Sequence, residues 1–335
     1  MKILMNSVPF WPSVGGIETV TAVLASELHA AGHPVRLMTQ TPADVPDSAP
    51  FEVLRVPTAR QCWQAHRWAD VVLHNNISLR AAWPPLIDRS RPWVIAHHIW
   101  TPRSGVGRLK HLVMPAATHI AVSRAIAASV DVPTTVIGNP YDDALFRLDP
   151  AVARSRELVF LGRLVSDKGI DVLLDALAEL RQRGRDLMLT VIGTGPEEAA
   201  LRARALRLGV ATQVRFAGIL RGAALVEALN AHQLLVVPSV WEEPFGVVAL
   251  EGLACGLLPV VTRSGGLPDA VGGCGLVVAK GSPTALADGI ERALTDEDLR
   301  AALRAAAPAH LAAHSPQGVA RSYLRVLEAA LARAR

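Results

Sequence analysis

The chain has few cysteines, and none of them forms a recognisable pair. Its 335 residues contain three, Cys62, Cys255 and Cys274, and no two of these have the two-residue spacing of a redox or zinc motif. Histidines and cysteines do not cluster with zinc-ligand spacing either. A disulfide framework and a zinc site are therefore not expected, and the cysteines are interpreted as ordinary thiols in a reducing compartment.

Long apolar runs are also missing. No stretch reaches the ~20 apolar residues that a membrane-spanning helix needs. The first residues, Met-Lys-Ile-Leu-Met-Asn, become polar too early for a secretory signal peptide. The sequence predicts a cytoplasmic protein, whose only membrane contact would be peripheral, on the inner face of the membrane.

Charge is scarce, and neither sign has a large excess. Charged residues make up 19% of the chain and hydrophobic residues 50%, which excludes a largely disordered chain. The formal net charge of +4 is too small to indicate nucleic acid, and no nucleic-acid partner is expected. A weakly basic chain suits an anionic ligand or an anionic membrane surface.

Two common phosphate-binding motifs are absent, and the one metal-binding pattern considered has another explanation. Residues 193–198, Gly-Thr-Gly-Pro-Glu-Glu, lack the third glycine of a dinucleotide fingerprint, and no Gly-Lys-Ser/Thr loop occurs. The segment Asp296-Glu297-Asp298 has the Asp-x-Asp pattern through which many transferases hold a metal. It opens a helical pattern, however, where carboxylates are explained by the helix dipole. We predict no metal site and no cofactor.

The pattern that is present alternates short apolar runs with longer amphipathic ones, which is typical of βαβ units around parallel sheets. It restarts near Glu157, after a turn-rich stretch at 138–143. We predict an α/β fold of two Rossmann-like, doubly wound parallel-sheet lobes that face a cleft, with ligands at the carboxyl ends of the strands. The predicted lobes are residues 1–150 and 151–315, and a C-terminal helix at 316–335 is predicted to pack back toward the first. The predicted strands are 2–8, 34–40, 51–56, 71–74, 93–97, 119–122, 158–162, 187–192, 214–216, 234–237, 259–261 and 275–278.

Two cations flank the loop at 162–169, Gly-Arg-Leu-Val-Ser-Asp-Lys-Gly, which joins a predicted strand to a predicted helix. Arg163 supplies a planar fork and Lys168 a compact charge, a combination that suits two adjacent phosphates. The alternative interpretation is a solvated basic turn.

A second loop, at 240–251, carries two carboxylates beside a predicted helix start. The backbone N–H groups of Gly246, Val247 and Val248 are expected to be free at the positive end of that helix, which favours an anion. Glu243 precedes them and Glu251 lies about one turn inside. Carboxylates next to a phosphate are reasonable if they accept hydrogen bonds from hydroxyls, and a nucleotide sugar offers these on its ribose and its hexose.

A third loop follows the first predicted strand and contains Gly15 and Gly16, followed by Glu18. Paired glycines let a backbone approach a ligand closely and let the loop move. A flexible β–α turn without a ligand explains the pair equally well.

Together these segments resemble the family-four retaining glycosyltransferases of the GT-B fold. The matching motifs follow one another over nearly the whole chain: Gly-Gly-x-Glu at 15–18, Gly-Arg-Leu-x-x-x-Lys-Gly at 162–169, Pro-Ser at 238–239, Glu-Pro-Phe-Gly-x-x-x-x-Glu at 243–251, and Gly-Gly-Leu-Pro-Asp at 265–269. The Asn-Pro-Tyr-Asp at 139–142 departs from the commoner Asn-Gly-x-Asp of the family.

The resemblance implies a role for each motif residue. Arg163 and Lys168 would hold the donor diphosphate and assist departure of the leaving group, Glu243 would hold the donor sugar, and Glu251 would accept from the ribose. The remaining donor-binding positions are Gly15, Gly16, Gly246, Val247 and Val248. The resemblance also implies retention at the anomeric carbon. Because the sequence shows no clear carboxylate nucleophile, we favour attack on the face from which the phosphate departs, with a donor phosphate oxygen taking the acceptor's proton.

A histidine is expected near the transferred sugar, because residues 93–98 resemble the family strand that such a histidine follows. Counting from Pro92 favours His98 as the catalytic residue, and His97 remains a rival. We assign Glu18, Asn76 and His97 to the acceptor side.

The acceptor is expected to be a saccharide or a lipid-linked molecule. Basic residues at 101–111, with Leu109, Leu112 and Val113 among or next to them, suit an anionic lipid or an acceptor phosphate, and a solvated helix start explains them as well. Three rival functions remain: a nucleotide-sugar epimerase, a pyridoxal-phosphate-dependent phosphorylase with Lys280 as the candidate lysine, and a non-catalytic nucleotide-sugar binder.

Overall fold

The computed structural model describes residues 1–13, 15–44 and 47–334, and it divides into two units. The first unit comprises Met1–Pro140 and the C-terminal helix, and the second comprises Tyr141–Ser315. The sequence-based boundary at 150/151 falls inside the second unit, ahead of its first strand. The predicted α/β class with two parallel-sheet lobes is confirmed.

The first unit is built on a parallel sheet of seven strands in the order β3-β2-β1-β4-β5-β6-β7. Strands β1, β4 and β5 are buried along their whole length, as expected when helices cover both faces of a parallel sheet. The strand order reverses between β1 and β4, and ligands of such sheets bind at this kind of switch point. The strands are β1 Ile3–Ser7, β2 Val35–Thr39, β3 Glu52–Arg55, β4 Val71–Asn75, β5 Trp93–His97, β6 Thr118–Ala121 and β7 Thr134–Val136.

The helices of this unit begin at polar caps in two cases. Thr58 and Gln61 form a capping box at the second helix, and Ser123 caps the fifth. The short strand β7 was not among the predicted strands, because three residues are too few to show an alternating pattern. The helices are α1 Gly16–Ala30, α2 Ala59–Trp68, α3 Leu79–Ile87, α4 Val106–Val113 and α5 Arg124–Ser129, with a 3-10 turn at Met114–Ala116.

The last helix of the chain, Pro316–Ala334, belongs to the first unit. Its buried residues recur at helical spacing and include Val319, Tyr323 and Leu327. They join one hydrophobic cluster with Leu24 and Leu28 of α1. The second unit is therefore inserted between two parts of the first. The apolar face of the final helix is buried in the first unit.

The second unit is built on six parallel strands in the order β10-β9-β8-β11-β12-β13. Its core lies between this sheet and the long helices α6 and α11, whose leucines and isoleucines pack on β8, β9, β11 and β12. The strands are β8 Arg156–Leu161, β9 Leu189–Ile192, β10 Val214–Gly218, β11 His232–Val237, β12 Leu258–Thr262 and β13 Leu276–Val278. The helices are α6 Ile170–Gln182, α7 Glu198–Arg207, α8 Gly222–Asn230, α9 Val247–Ala254, α10 Leu267–Val271, α11 Pro283–Thr295 and α12 Glu297–Ala313, with 3-10 turns at Ser166–Lys168 and Ala211–Gln213. We number the final helix of the chain, Pro316–Ala334, α13.

Two further features bear on the sequence-based expectations. Asp296 is the N-cap of α12, where its carboxylate accepts from the backbone N–H of Leu299 at 3.0 Å. The Asp-x-Asp pattern therefore has a helix-capping explanation. Within the described ranges, no helix has both the length and the apolar character needed to cross a bilayer.

Candidate active site

The loop after β8 is shaped by close packing against the segment that follows β11. A 3-10 turn at Ser166–Lys168 ends at Gly169, whose φ of +66° lies in the left-handed region. A Cβ on Gly169 would lie 2.1 Å from the carbonyl oxygen of Pro238, so only glycine permits this approach. The packing brings Lys168 next to the residues that follow β11.

Lys168 forms an ion pair with Glu243. The Lys168 Nζ lies 2.5 Å from the Glu243 Oε1, and the two side chains are only 27% and 12% exposed. The buried hydroxyl of Ser239 donates to the same carboxylate oxygen at 2.6 Å. Two of the motifs singled out in the sequence, separated by 75 residues, thus meet at the carboxyl ends of β8 and β11.

A third loop, after β12, supports Glu243 from the other side. The backbone N–H of Gly266 donates to the Glu243 carbonyl at 2.7 Å, and Gly265 N–H donates to the Glu242 carboxylate at 2.6 Å. Gly265 has φ +54°, and a Cβ there would lie 2.1 Å from the Glu243 carbonyl oxygen. The other Glu242 carboxylate oxygen pairs with Lys280. Loops from three strands therefore fix the position of the Glu243 backbone and side chain.

Helix α9 presents free donors next to this carboxylate. The helix begins at Val247, directly after Gly246, which has a φ of +111°. The backbone N–H groups of Gly246, Val247 and Val248 donate to no group in the described part of the chain. Unpaired N–H groups at a helix N-terminus carry partial positive charge and bind anions.

Glu251 lies one turn inside the same helix and is partly buried. Burial, and secondly the negative charge of Asp142, raise the pKa of Glu251 to about 7. No hydrogen bond to its carboxyl group is present within the described residues. A carboxyl group with open acceptor positions beside an anion site suits hydroxyl groups of a ligand.

Arg163 lies on the loop that carries Lys168. Its side chain is exposed and forms no ion pair within residues 1–13, 15–44 and 47–334. The guanidinium is therefore available to a ligand. In the second unit, the structure brings Lys168, Glu243 and the start of α9 to one edge of the sheet, with Arg163 on the adjoining loop.

The rival histidines of the first unit have different surroundings. His97 is hydrogen-bonded to another buried histidine through its Nε2. The His97 Nε2 lies 3.0 Å from the Nδ1 of His119, and the His119 Nε2 lies 2.8 Å from the carbonyl oxygen of Met114. Because a carbonyl only accepts, His119 Nε2 carries the proton, and His97 must donate to His119 Nδ1. Burial, and secondly the neighbouring His119, lower the pKa of His97 to about 3. The pair connects the neighbouring strands β5 and β6.

His98, the next residue, keeps one ring nitrogen open. Its backbone N–H donates to the Asn76 Oδ1 at 2.8 Å, and its Nδ1 donates to the Asn139 Oδ1 at 3.2 Å. The buried Nε2 has no partner within the described residues. Burial lowers the pKa of His98 to about 4, so the ring is neutral near pH 7 and Nε2 is an acceptor. Of the two rivals, His98 keeps a buried acceptor nitrogen that has no partner among the described residues.

The other residues assigned to the first unit have local roles. Asn76, with φ +61°, positions His98 rather than presenting a free amide oxygen. Glu18 accepts from the Ser13 hydroxyl at 2.8 Å and lies over Gly15, where a Cβ would come within 2.6 Å of its carboxylate. The space around Gly16 is open. Val14, next to this pair of glycines, lies outside the described residues.

The comparison with known families concerns the second unit. Residues 149–310 match the family described as "Glycosyl transferases group 1". This segment belongs to that glycosyltransferase family. The resemblance inferred from the motifs is therefore confirmed, and all of the motif residues from Arg163 to Glu251 lie inside the group 1 domain.

Curated relatives share the same part of the chain. A D-inositol 3-phosphate glycosyltransferase from Corynebacterium jeikeium is 39% identical over 184 residues, which is 52% of this chain and 44% of the relative. An uncharacterized glycosyltransferase from Methanocaldococcus jannaschii is 34% identical over 145 residues, 43% of this chain and 37% of the relative. The match thus spans less than half the length of these relatives.

Solved structures match over nearly the full length. Anabaena Alr3699/HepE in complex with UDP and glucose has a TM-score of 0.75 at 23% identity, covering 98% of this chain and all of that one. Sucrose-phosphate synthase from Thermosynechococcus elongatus has a TM-score of 0.75 at 21% identity, covering 99% of both chains. At this level of identity the likeness shows the fold, and both lobes of the chain share it.

Sequence reasoning missed the supporting residues of the site. Ser239 was noted as part of a motif, but not as a donor to Glu243. Asn139 was noted only as a departure in a turn, and His119 not at all. His119 and Asn139 contact His97 and His98, which lie 22 and 41 residues away in the sequence, so no local pattern marks them. Ser239 lies four residues before Glu243, and its contact depends on how the loop folds.

The raised pKa of Glu251 predicts a stability effect. In the folded protein this carboxyl keeps its proton up to about pH 7, whereas in the unfolded chain it ionises at an ordinary carboxyl pKa. The protonated carboxyl contributes to the free energy of unfolding. This contribution is complete below the ordinary carboxyl pKa and is lost as pH rises through about 7. We expect Glu251→Gln to have nearly the wild-type Tm at pH 4.5, and to exceed it by about 3 °C at pH 8.

Thermal unfolding of both proteins across this pH range measures the difference. Glu227→Gln, at an exposed position on α8, is the matched control and should shift the Tm equally at all pH values. A Glu251→Gln difference that does not grow with pH contradicts the burial argument.

Proposed function

We propose that the protein transfers a hexosyl group from a nucleotide-diphosphate sugar to a saccharide or lipid-linked acceptor, with retention of anomeric configuration and without a metal. The observation that carries this proposal is the Lys168–Glu243 ion pair next to the unpaired N–H groups that open α9. Cationic and backbone donors suit a diphosphate, and the adjacent carboxylate suits sugar hydroxyls. The Anabaena HepE structures with UDP and with UDP-glucose support a nucleotide sugar as the donor.

In the proposed complex the diphosphate lies between Lys168 and the start of α9, and Arg163 adds a second cation. Negative charge grows on the leaving phosphate as its bond to the anomeric carbon breaks. Because these donors are already in place, they stabilise that charge in the transition state without reorganisation. This arrangement performs the task that a metal ion performs in other transferases.

Glu243 holds the donor sugar in this proposal. Its carboxylate oxygen Oε1 is engaged by Lys168 and Ser239, which leaves Oε2 to accept from a hexose hydroxyl. A carboxylate fixed in this way by two donors is a poor nucleophile. We therefore favour attack by the acceptor oxygen on the face from which the phosphate departs. The bond from the acceptor oxygen to the anomeric carbon forms, the bond to the phosphate oxygen breaks, and that oxygen takes the acceptor's proton.

Glu251 and His98 bind hydroxyl groups at the two ends of the donor in the proposed complex. A carboxyl oxygen of Glu251 accepts from the ribose, and the neutral His98 Nε2 accepts from the transferred sugar. Gly15 and Gly16 are proposed to approach the phosphates. No role toward the acceptor is proposed for Glu18, whose Oε1 accepts from Ser13, or for His97, whose Nε2 donates to His119.

The rival functions differ in what they require. A pyridoxal-phosphate phosphorylase needs an unpaired lysine amine, and the Lys280 ammonium is paired with Glu242. A nucleotide-sugar epimerase and a non-catalytic binder both accept the same donor. Transfer to an acceptor distinguishes the proposal from these two.

We also propose that the protein is cytoplasmic and contacts an anionic membrane surface through α4. Val106, Leu109 and Leu112 of this helix are 66%, 51% and 76% exposed. Arg108 and Lys110 lie among them, so the helix combines apolar side chains with positive charge. Such helices lie at the interface of anionic bilayers.

Turnover is the first test of the proposed reaction. Purified protein, treated with EDTA, is incubated with UDP-glucose and other nucleotide sugars and with saccharide or polyprenyl-phosphate acceptors. We expect release of nucleoside diphosphate to require an acceptor, and NMR of the product to show the anomeric configuration of the donor. Inverted product contradicts retention, and activity restored only by added Mg²⁺ or Mn²⁺ contradicts metal independence.

Lys168→Ala tests the phosphate assignment. Removing one preorganised donor from the leaving group is expected to lower kcat by about 10²–10³-fold. Lys280→Ala is the comparison, because it removes the other lysine of this region and should lower kcat less than about tenfold. Steady-state kinetics measure both, with circular dichroism as the folding control. Near-wild-type turnover of Lys168→Ala contradicts the assignment, and loss of activity in Lys280→Ala alone favours the phosphorylase.

Leu112→Ser tests the membrane contact. We expect the wild-type protein to sediment with vesicles that contain phosphatidylglycerol, and to remain in solution with phosphatidylcholine vesicles. Loss of one exposed apolar side chain should reduce the bound fraction several-fold at moderate salt. Leu206→Ser, at an exposed leucine of α7 in the second unit, is the matched control and should bind as the wild type does. Equal binding of the two variants contradicts a role for α4.

A further inference from the structure

A cavity lies within the second unit, away from the candidate active site. Its volume is about 470 Å³, which is within the range of small-molecule sites. Residues 256–258, at the start of β12, and helices α9 and α12 form its walls. Lys168 and Glu243 follow the carboxyl ends of the strands, whereas this cavity lies at the amino end of β12. The two sites are therefore on opposite edges of the same sheet.

The walls of this cavity are mainly apolar. Leu253 and Leu257 line one side, and Leu303, Ala307 and Leu311 of α12 line the other. Helix α12 packs on α9, α11 and β12, yet it has no buried residue. Its apolar face is therefore only partly covered by the rest of the protein, and the space beneath it is open to a ligand.

Two cations border the cavity, and none of its lining residues is acidic. Arg154 donates to the backbone carbonyls of His232, Cys255 and Gly256, which are neutral. Arg304 is exposed and forms no ion pair or hydrogen bond through its side chain within the described residues. Burial, and secondly the charge of Arg304, lower the pKa of Arg154, which is consistent with two like charges that lie close together. An anionic group beside Arg304 would offset this repulsion.

We propose that the cavity binds a single-chain amphiphile, whose apolar tail lies between α9 and α12 and whose anionic head group pairs with Arg304. The apolar walls favour a ligand with an apolar part over a purely polar anion such as inorganic phosphate. The two neighbouring arginines, Arg154 and Arg304, favour a carboxylate or phosphate head group over a neutral one. Arg154 adds positive potential, but its own hydrogen bonds hold the strand ends in place.

Calorimetric titration with two matched probes tests the proposal. Dodecanoate and dodecanol have the same chain length and differ in head-group charge, and both are used below their aggregation limits. We expect one dodecanoate to bind per chain, and dodecanol to bind about fivefold more weakly, because an exposed charge pair adds a modest free energy. Absence of dodecanoate binding, or equal binding of the two probes, overturns the proposal.

Two pairs of variants locate the site. Arg304→Ala should reduce dodecanoate affinity to that of dodecanol, whereas Arg207→Ala, at an exposed arginine of α7, should leave it unchanged. Ala307→Trp should fill the cavity and abolish binding of both probes. Ala305→Trp, on the exposed side of the same helix, should bind as the wild type does. Undiminished binding in Arg304→Ala overturns the assignment even if Ala307→Trp fails to fold.

The outcome is separable from that of the proposed transferase reaction. Lys168→Ala should bind dodecanoate normally, and UDP should not compete with it. Competition by UDP would place the probe in the donor site and overturn the proposal. Sedimentation of wild type and Ala307→Trp gives a further check, since a dimer that this substitution dissociates would identify the cavity as a self-association surface instead.

Discussion

The half-buried ion pair between Lys168 and Glu243 is the interaction on which the geometry of the second unit's site depends. An ion pair with little solvent access is costly unless further hydrogen bonds satisfy it, and the Ser239 hydroxyl supplies one. The loops that carry the partners approach closely only because Gly169 and Gly265 lack side chains. The pair, the hydroxyl and the two glycines therefore form a single unit, in which the position of the carboxylate is set by three strands at once.

This arrangement places negative, positive and hydrogen-bond-donating groups together at the carboxyl ends of the strands. One lysine is neutralised by its carboxylate, Arg163 is exposed, and the start of α9 supplies unpaired N–H groups. A ligand with both anionic and hydroxyl-bearing parts matches all three features. A simple anion would be repelled by the negative charge of Glu243. A nucleotide-diphosphate sugar has both parts, which is why the proposed function follows from the geometry as well as from the family of the domain.

The candidate residues of the first unit are buried, neutral histidines, whereas those of the second unit include charged side chains. His74, His97 and His98 are buried beneath or beside the carboxyl ends of β4 and β5, and burial lowers the pKa of each, so the rings are neutral. Neutral rings can accept as well as donate, and networks with His119 and Asn139 use both properties. In the proposed complex, a neutral His98 would orient a sugar hydroxyl without adding charge.

By itself, the sequence determined the parallel-sheet class, most strand positions and the residues of the motifs at 162–169 and 243–251. Short contiguous segments indicate these properties, through alternating apolar runs and through glycines and charged residues at fixed spacing. Only the tertiary structure decided that Lys168 pairs with Glu243 and that His97 is occupied by His119 while His98 keeps a free nitrogen. Which loops meet depends on strand order, and which of two adjacent side chains faces a neighbour depends on the sheet around it, so neither is recorded in any local pattern.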